Sequence, residues 1–385
     1  MSNWHRTPAV VIVVLVVQIA GVLLFISRYD FNISSLMYLG KLESAYTPEL
    51  LGPDVVVYID TGGYDGQYFY YIARDPFLRS PHHLTNAYRY GRVGYPLLVW
   101  LTSLGSARLL PYTLVLVNLA SVALGTAAVV GLLRDWSLSP WLALLYGLNP
   151  GHILSIQMDL PDAMAVDFGV LGLYFWKRER RVLAVVAFAL AVLARETAAL
   201  FLIPAALFSL RERCPRQVAI PGLALVPWAM WQLYILAKLG QIPLIAGSGN
   251  KFDLPFVGMA QTILNIQWQC SLPDLIRQTI VLPIMVLAIA ALLLASFKLS
   301  KRYDMFNAAL LLHALLAIYT DIDSWNRFSS AGRVFIGLFP LSLLGYGAYR
   351  DFVSKVLLAG VAALSLFTFL RPVIITPVLP YVLSP

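Results

Sequence analysis

The chain has 385 residues, of which 59% are hydrophobic and only 12% charged, and its mean hydropathy is +0.74. An ordinary globular domain carries about a quarter charged residues, so composition excludes a soluble globular protein and points to a polytopic one whose solvent is lipid. The net charge of +8 fits cytoplasmic loops and anionic headgroups. No basic run is interleaved with aromatics, so no nucleic-acid partner is expected.

Apolar runs and Lys/Arg clusters predict an all-α polytopic membrane protein of about eleven transmembrane helices. The first covers 9–27; the run Val10 to Ile26 is too long and apolar for a signal-peptide core, and no small-residue cleavage site follows. Residues 28–110 form a long first external loop, whose later part, Pro96 to Leu104, is apolar enough to lie in the membrane interface. Spans follow at 111–133, 139–157 and 161–176, the last ending in Lys177, Arg178, Arg180 and Arg181. Residues 182–210 are too long for one span and short for two. Arg195-Glu196 divides them, which predicts a hairpin of two short helices with that pair at its outer tip. Spans at 218–237, 279–297, 305–319, 334–349 and 356–370 complete the set, with external loops at 239–278 and 321–333. One orientation puts nearly every basic cluster on the cytoplasmic side and Asp60, Asp65, Asp159, Arg195-Glu196, Lys251, Arg327 and Arg333 on the other. No inverted repeat is visible, and residues 1–385 read as a single domain. Cys214 and Cys270 make neither metal spacing nor redox pair, and fall on opposite sides; both read as structural.

The polar stretch from Asp60 to Arg92 carries the chemistry. Asp60 and Asp65 flank Thr-Gly-Gly-Tyr, a turn that can present two carboxylates. A carboxylate near lipid can serve as general base toward a hydroxyl, or as a metal ligand; the plainer alternative is a cap on the helix that begins near Gly66. Arg89, Arg92, Arg195, Arg327 and Arg333 are candidates to hold a phosphate, because a guanidinium donates two parallel hydrogen bonds and stays charged. Anchoring to headgroups is their simpler role. Tyr88, Tyr90 and Tyr95 lie beside Arg89 and Arg92 and suit a lipid tail or a sugar face. Glu196 with Arg195 is costly between two apolar runs without a partner or a role, and a mutual or interhelical ion pair is the bland reading. Lys251 follows a Gly-Ser-Gly-Asn segment that reads as a mobile lid or a plain turn. His82 and His83 are adjacent and have no third His or Cys nearby, so no zinc site is read. Asp159 and Asp162 flank Pro161 and read first as capping residues; Asp167 lies inside the fourth span.

The segment Tyr64-Asp65-Gly66-Gln67-Tyr68-Phe69-Tyr70-Tyr71-Ile72-Ala73, in a long external loop after the first helix, resembles the GT-C glycosyltransferases. Arg92-Val-Gly-Tyr95-Pro96-Leu-Leu resembles the segment that follows it in the mannosyltransferase branch. The motif covers about 35 residues, and the hydropathy plan covers the chain. The resemblance implies a GT-C-like bundle and transfer of a sugar from a polyprenyl-phosphate donor to a glycan, lipid or protein acceptor. Transfer would invert the anomeric carbon on the periplasmic or luminal face, as in a bacterial inner (plasma) membrane enzyme. Asp65 would be the base, with Asp60 beside it. Gln67, Tyr68, Arg89, Tyr90, Arg92, Arg195, Glu196, Lys251, Arg327 and Arg333 would contact substrate. The chain lacks the family's adjacent acidic pair and its extracytoplasmic soluble domain, which leaves open whether a divalent cation, Mg or Mn, takes part. Two other classes remain: a transporter or flippase of lipid-linked sugars, which needs charges reaching both faces, and a non-catalytic scaffold, which needs no polar cluster.

Overall fold

The computed structural model describes residues 6–41, 50–80, 84, 86–213, 217–247, 251–374 and 376–384. Cys214, His82, His83 and the Ser248–Asn250 part of the lid segment lie outside them. The described residues are predominantly helical. The helices used below are α1 (Arg6–Ile26), α2 (Gly66–Arg74), α3 (Gly94–Thr102), α4 (Leu110–Asp135), α5 (Pro150–Gln157), α6 (Asp162–Lys177), α7 (Arg181–Ala194), α8 (Leu202–Arg211), α9 (Leu225–Leu239), α10 (Leu282–Lys301), α11 (Met305–Ile318), α12 (Phe328–Val334), α13 (Leu338–Tyr349) and α14 (Phe352–Ile374).

Among the described residues, five helical stretches are long and apolar enough to cross a membrane: Thr7–Tyr29, Leu110–Asp135, Pro221–Leu239, Leu272–Lys301 and Phe352–Ile374; the bent pair α12–α13 makes a sixth if it counts as one span. A helix satisfies its own backbone, which lipid cannot do, so apolar runs of this length become helices. Along α1, Val10, Val14, Val22 and Phe25 are buried while Ile12, Val16, Ile19 and Leu23 are exposed. Both faces are apolar, as a helix between protein and lipid requires.

The other expected spans differ from the sequence reading. The run 139–157 is not one helix. It breaks into short turns, and α5 starts afresh at Pro150, with the Asn149 side chain accepting from the His152 N–H; a proline lacking its N–H favours a new start over continuation. Helix α6 has 16 residues and sits inside the molecule, packed on α4 and α7. The break expected at Arg195 is present: α7 stops there, Arg195 is extended, and a 3-10 turn leads into α8. Arg195 is buried, however, and does not stand out as a solvent-facing tip. Helix α11 has 14 residues, and α12 and α13 meet at 46°.

The all-α expectation agrees with the predominantly helical structure; the described part of 28–110 contains α2 and α3 together with two very short strands. A three-stranded sheet joins β1 (Leu39–Gly40) in parallel to β2 (Val56–Tyr58) and β2 antiparallel to β3 (Tyr381–Leu383), with Val57 opposite Val382. Ser384 seals this join: its hydroxyl donates to the Gly52 carbonyl and accepts from the Val55 N–H.

Candidate functional site

Asp65 immediately precedes α2 but makes no side-chain cap to it. One carboxylate oxygen accepts from Arg89 Nη1 at 3.0 Å and the other from Arg333 Nη2 at 2.5 Å. The capping alternative is thereby set aside for Asp65. The turn that carries it is folded back on the chain: the Tyr64 N–H donates to the Tyr38 carbonyl, and Gly63 has a φ of +82°. A Cβ on Gly63 would meet the Gly40 nitrogen and the Tyr38 carbonyl oxygen at 2.6 Å, so both its conformation and its packing require glycine. Gln67 is buried, with its Oε1 accepting from the Gly40 N–H at 3.1 Å and its Nε2 donating to the Gly62 carbonyl at 3.0 Å. Its amide ties residues 62 and 40 together and so shapes the turn.

The arginines reach Asp65 from separate elements. Arg89 lies in a 3-10 turn, Ala87–Arg92, with its guanidinium 3.7 Å from the centre of the Tyr68 ring. Arg333 lies in the last turn of α12, just before the bend to α13, and its guanidinium faces the Tyr64 ring at 5.0 Å. Arg92 grips Glu196 with two hydrogen bonds, 2.9 and 3.2 Å long, and also donates to the Tyr88 hydroxyl at 3.0 Å. Arg195 pairs with Asp162, which also lies 3.9 Å from Arg333. The neighbours Arg195 and Glu196 therefore do not pair with each other but turn to different partners. Two of the arginines stand at helix interruptions, and irregular backbone at membrane depth is tolerated where it is enclosed by protein.

The resulting chain of charges runs Arg89, Asp65, Arg333, Asp162, Arg195, with Arg92–Glu196 alongside. Among the described residues four guanidinium groups face three carboxylates, and the buried Nε atoms of Arg195 and Arg333 have no hydrogen-bond partner. The cluster has one spare positive charge and unused donors, which suits an anion. Burial pushes the Asp65 carboxyl up, but Arg333, then Arg89 and Arg92, outweigh it and hold the group well below the usual carboxylate range. Burial acts in the same way on Glu196, and Arg92 overcomes it to hold that carboxyl at about 2.

Two small pockets flank this cluster. One, a cavity of about 10 Å³, lies beside Asp162, Arg195, Phe201, His313, Leu316 and Ile336. The other, about 40 Å³, lies against Tyr88, Gly91, Glu196, Trp228 and Leu244. Among the described residues no three His, Cys, Asp or Glu side chains gather as a metal would need. Both Asp65 oxygens already face guanidinium groups, a setting that does not fit Mg or Mn.

Six of the sequence candidates thus come together: Asp65, Arg89, Arg92, Arg195, Glu196 and Arg333, with Tyr68 under Arg89. The rest do not join them. Asp60 is exposed. Tyr90 is buried in the core, its carbonyl accepting from Trp231 Nε1, and Tyr95 is also buried, donating to the Leu114 carbonyl. Neither offers a face to a lipid or sugar; Tyr88 lines the second pocket. Lys251 bonds Asp323 at 3.1 Å on the surface, and Arg327 is exposed. Asp162 caps no helix with its side chain and instead holds Arg195. The signal available for it was an acid in an apolar run with no neighbouring base, matched by a base in the next apolar run. No protein-family model, curated protein or solved structure matches the chain.

Proposed function

We propose that the chain is an integral-membrane glycosyltransferase of GT-C type, moving a sugar from a polyprenyl-phosphate donor to a hydroxyl acceptor on the periplasmic or other extracytoplasmic face. Its shorter and broken helices would raise the number of passes toward eleven. The observation that carries this reading is Asp65 clasped by Arg89 and Arg333 within a cluster that has an excess of guanidinium.

The chemistry follows from competition for those donors. A donor phosphate is a better match for two guanidinium forks than one carboxylate is. When Arg89 and Arg333 turn to the phosphate, Asp65 loses the cations that depress its proton affinity and can accept a proton. The acceptor oxygen then attacks the anomeric carbon from the side opposite the phosphate, and the carbon–oxygen bond to phosphate breaks. The hydroxyl proton passes to Asp65, and the phosphate leaves as an anion held by the arginines. No step is routed through a metal. Asp65→Asn removes the base while keeping the shape. Expected is a loss of turnover of about 10²- to 10⁴-fold in a protein that still folds and inserts, measured with purified protein and a polyprenyl-phosphate sugar. An undiminished rate would remove Asp65 from the scheme.

The interruptions at Arg195 and between α12 and α13 favour one other reading, a transporter of lipid-linked sugars, because transporters build sites from discontinuous helices. That reading predicts movement of the lipid-linked sugar across sealed vesicles with no chemical change.

A further inference from the structure

We infer a second anion-binding site, built by Arg28 and Arg371 with Tyr38 and Tyr64, that takes the phosphate group of an amphiphilic molecule. Arg371 lies in the last turn of α14 and Arg28 just beyond the end of α1. Only 8% of Arg371 is exposed, and among the described residues its buried Nε and Nη2 have no hydrogen-bond partner; the same holds for buried Arg28 Nη1 and Tyr64 Oη. Arg28 Nη2 donates to the Thr376 carbonyl at 2.6 Å, which fixes one edge of the fork and leaves the other free. The Thr376 hydroxyl in turn donates to the Arg371 carbonyl at 3.2 Å, which ties the two arginines together. Among the described residues the charged and titratable groups that act on Arg371 are Tyr38, Tyr64 and Arg28, with no carboxylate among them. This is the contrast with the Asp65 cluster, where every arginine has an acid.

A snorkelling arginine keeps its charged head in water or among headgroups. Arg371 instead turns its donors into protein, where an unpaired cation is costly to hold and marks a missing anion. The planar fork, the second arginine and the two phenols supply the donors a phosphate accepts from. The wall between the two sites is Tyr64: its ring faces Arg333 and lies in a T-shaped pair with Tyr38, 6.3 Å between centroids. The shared chemistry is a phosphate on an apolar chain, whether a bilayer lipid headgroup or a polyprenyl substrate.

This site does not depend on the transferase reading, and binding tests it without turnover. Purified protein in neutral phosphatidylcholine nanodiscs is titrated with phosphatidylglycerol in one arm and polyprenyl monophosphate in the other, with bound lipid counted by native mass spectrometry. Arg371→Gln and Arg28→Gln should each weaken one of these about tenfold, the scale of a lost charge-assisted contact. Arg371→Lys should recover part of the affinity, and the arm that responds names the source. Tyr64→Phe, which removes only a hydroxyl, should weaken the same arm less and serves if the arginine variants do not fold. Unchanged affinity for both lipids, in variants that keep the wild-type melting temperature, would overturn the site.

Discussion

Asp65 is ionised because of what surrounds it. Its burial alone would favour the neutral acid, and Arg333 and Arg89 reverse that. Since the folded-state pKa is depressed, the stability this cluster gains from the charge is complete above the ordinary value of 3.8 and is lost as pH falls below it. Replacing Arg333 with Gln removes the cation that acts most strongly on Asp65, so the pKa must rise. If Asp65 is the base, the acidic limb of the kcat/KM profile should move upward by about 1 pH unit or more in Arg333→Gln, and less in Arg89→Gln. A limb that stays in place in both variants would mean that another group titrates. Residue types made most of this cluster readable, because buried acids and arginines in apolar surroundings are few and need partners. The pairing was not readable: nothing in adjacent Arg195 and Glu196 says that one reaches Asp162 and the other Arg92. Nor was the backbone role of Gln67 readable: its amide bonds Gly40 and Gly62, a tie that a polar residue next to a candidate base does not announce.

At the scale of elements, close approach of two helices decides whether Arg92 can reach Glu196. A Cβ on Gly94 would meet the Ala194 nitrogen and the Leu193 carbonyl carbon at 2.7 Å, backbone atoms that cannot swing away. Helix α3 therefore rests on the C-terminal end of α7, which sets Arg92 and Glu196 two residues from the contact on either side. Gly94→Ala should push the helices apart, lower stability by about 1–3 kcal/mol, and loosen the Arg92–Glu196 clamp. The drop in melting temperature should be larger than for Gly222→Ala, where a Cβ meets nothing within 4 Å. Equal melting temperatures for the two variants would show that α3 and α7 are not held by this contact. Helix existence was legible from apolar runs, and the break at Arg195 from the charges that interrupt one. The bend between α12 and α13 was not, since Phe335, Ile336 and Gly337 run straight on into the apolar α13 and read as its first turn. The short strands escaped notice because two or three residues carry no alternation to read, and β3 pairs with β2 from the far end of the chain.

For the whole molecule, the sequence reading rested on one sidedness: Lys/Arg clusters on one membrane face and the acid–arginine candidates on the other. Asp65, Arg89, Arg92, Arg195 and Arg333 do meet in space, although helices and loops between 65 and 333 separate them in sequence. Convergence is necessary for a site at one face but does not say which face. Lys301 closes α10 beside Lys298, and Asp60 stands exposed in the turn that leads to Asp65. With Cys214 and Cys270 replaced by serine, Asp60→Cys should react with a membrane-impermeant maleimide in intact cells. Lys301→Cys should react only after permeabilisation. Labelling of both from the outside would put the basic clusters and the site on one face and undo the orientation. Reversed labelling would place the Asp65 cluster in the cytoplasm, where its partner would have to be a cytoplasm-facing phosphate rather than a donor presented on the outer leaflet.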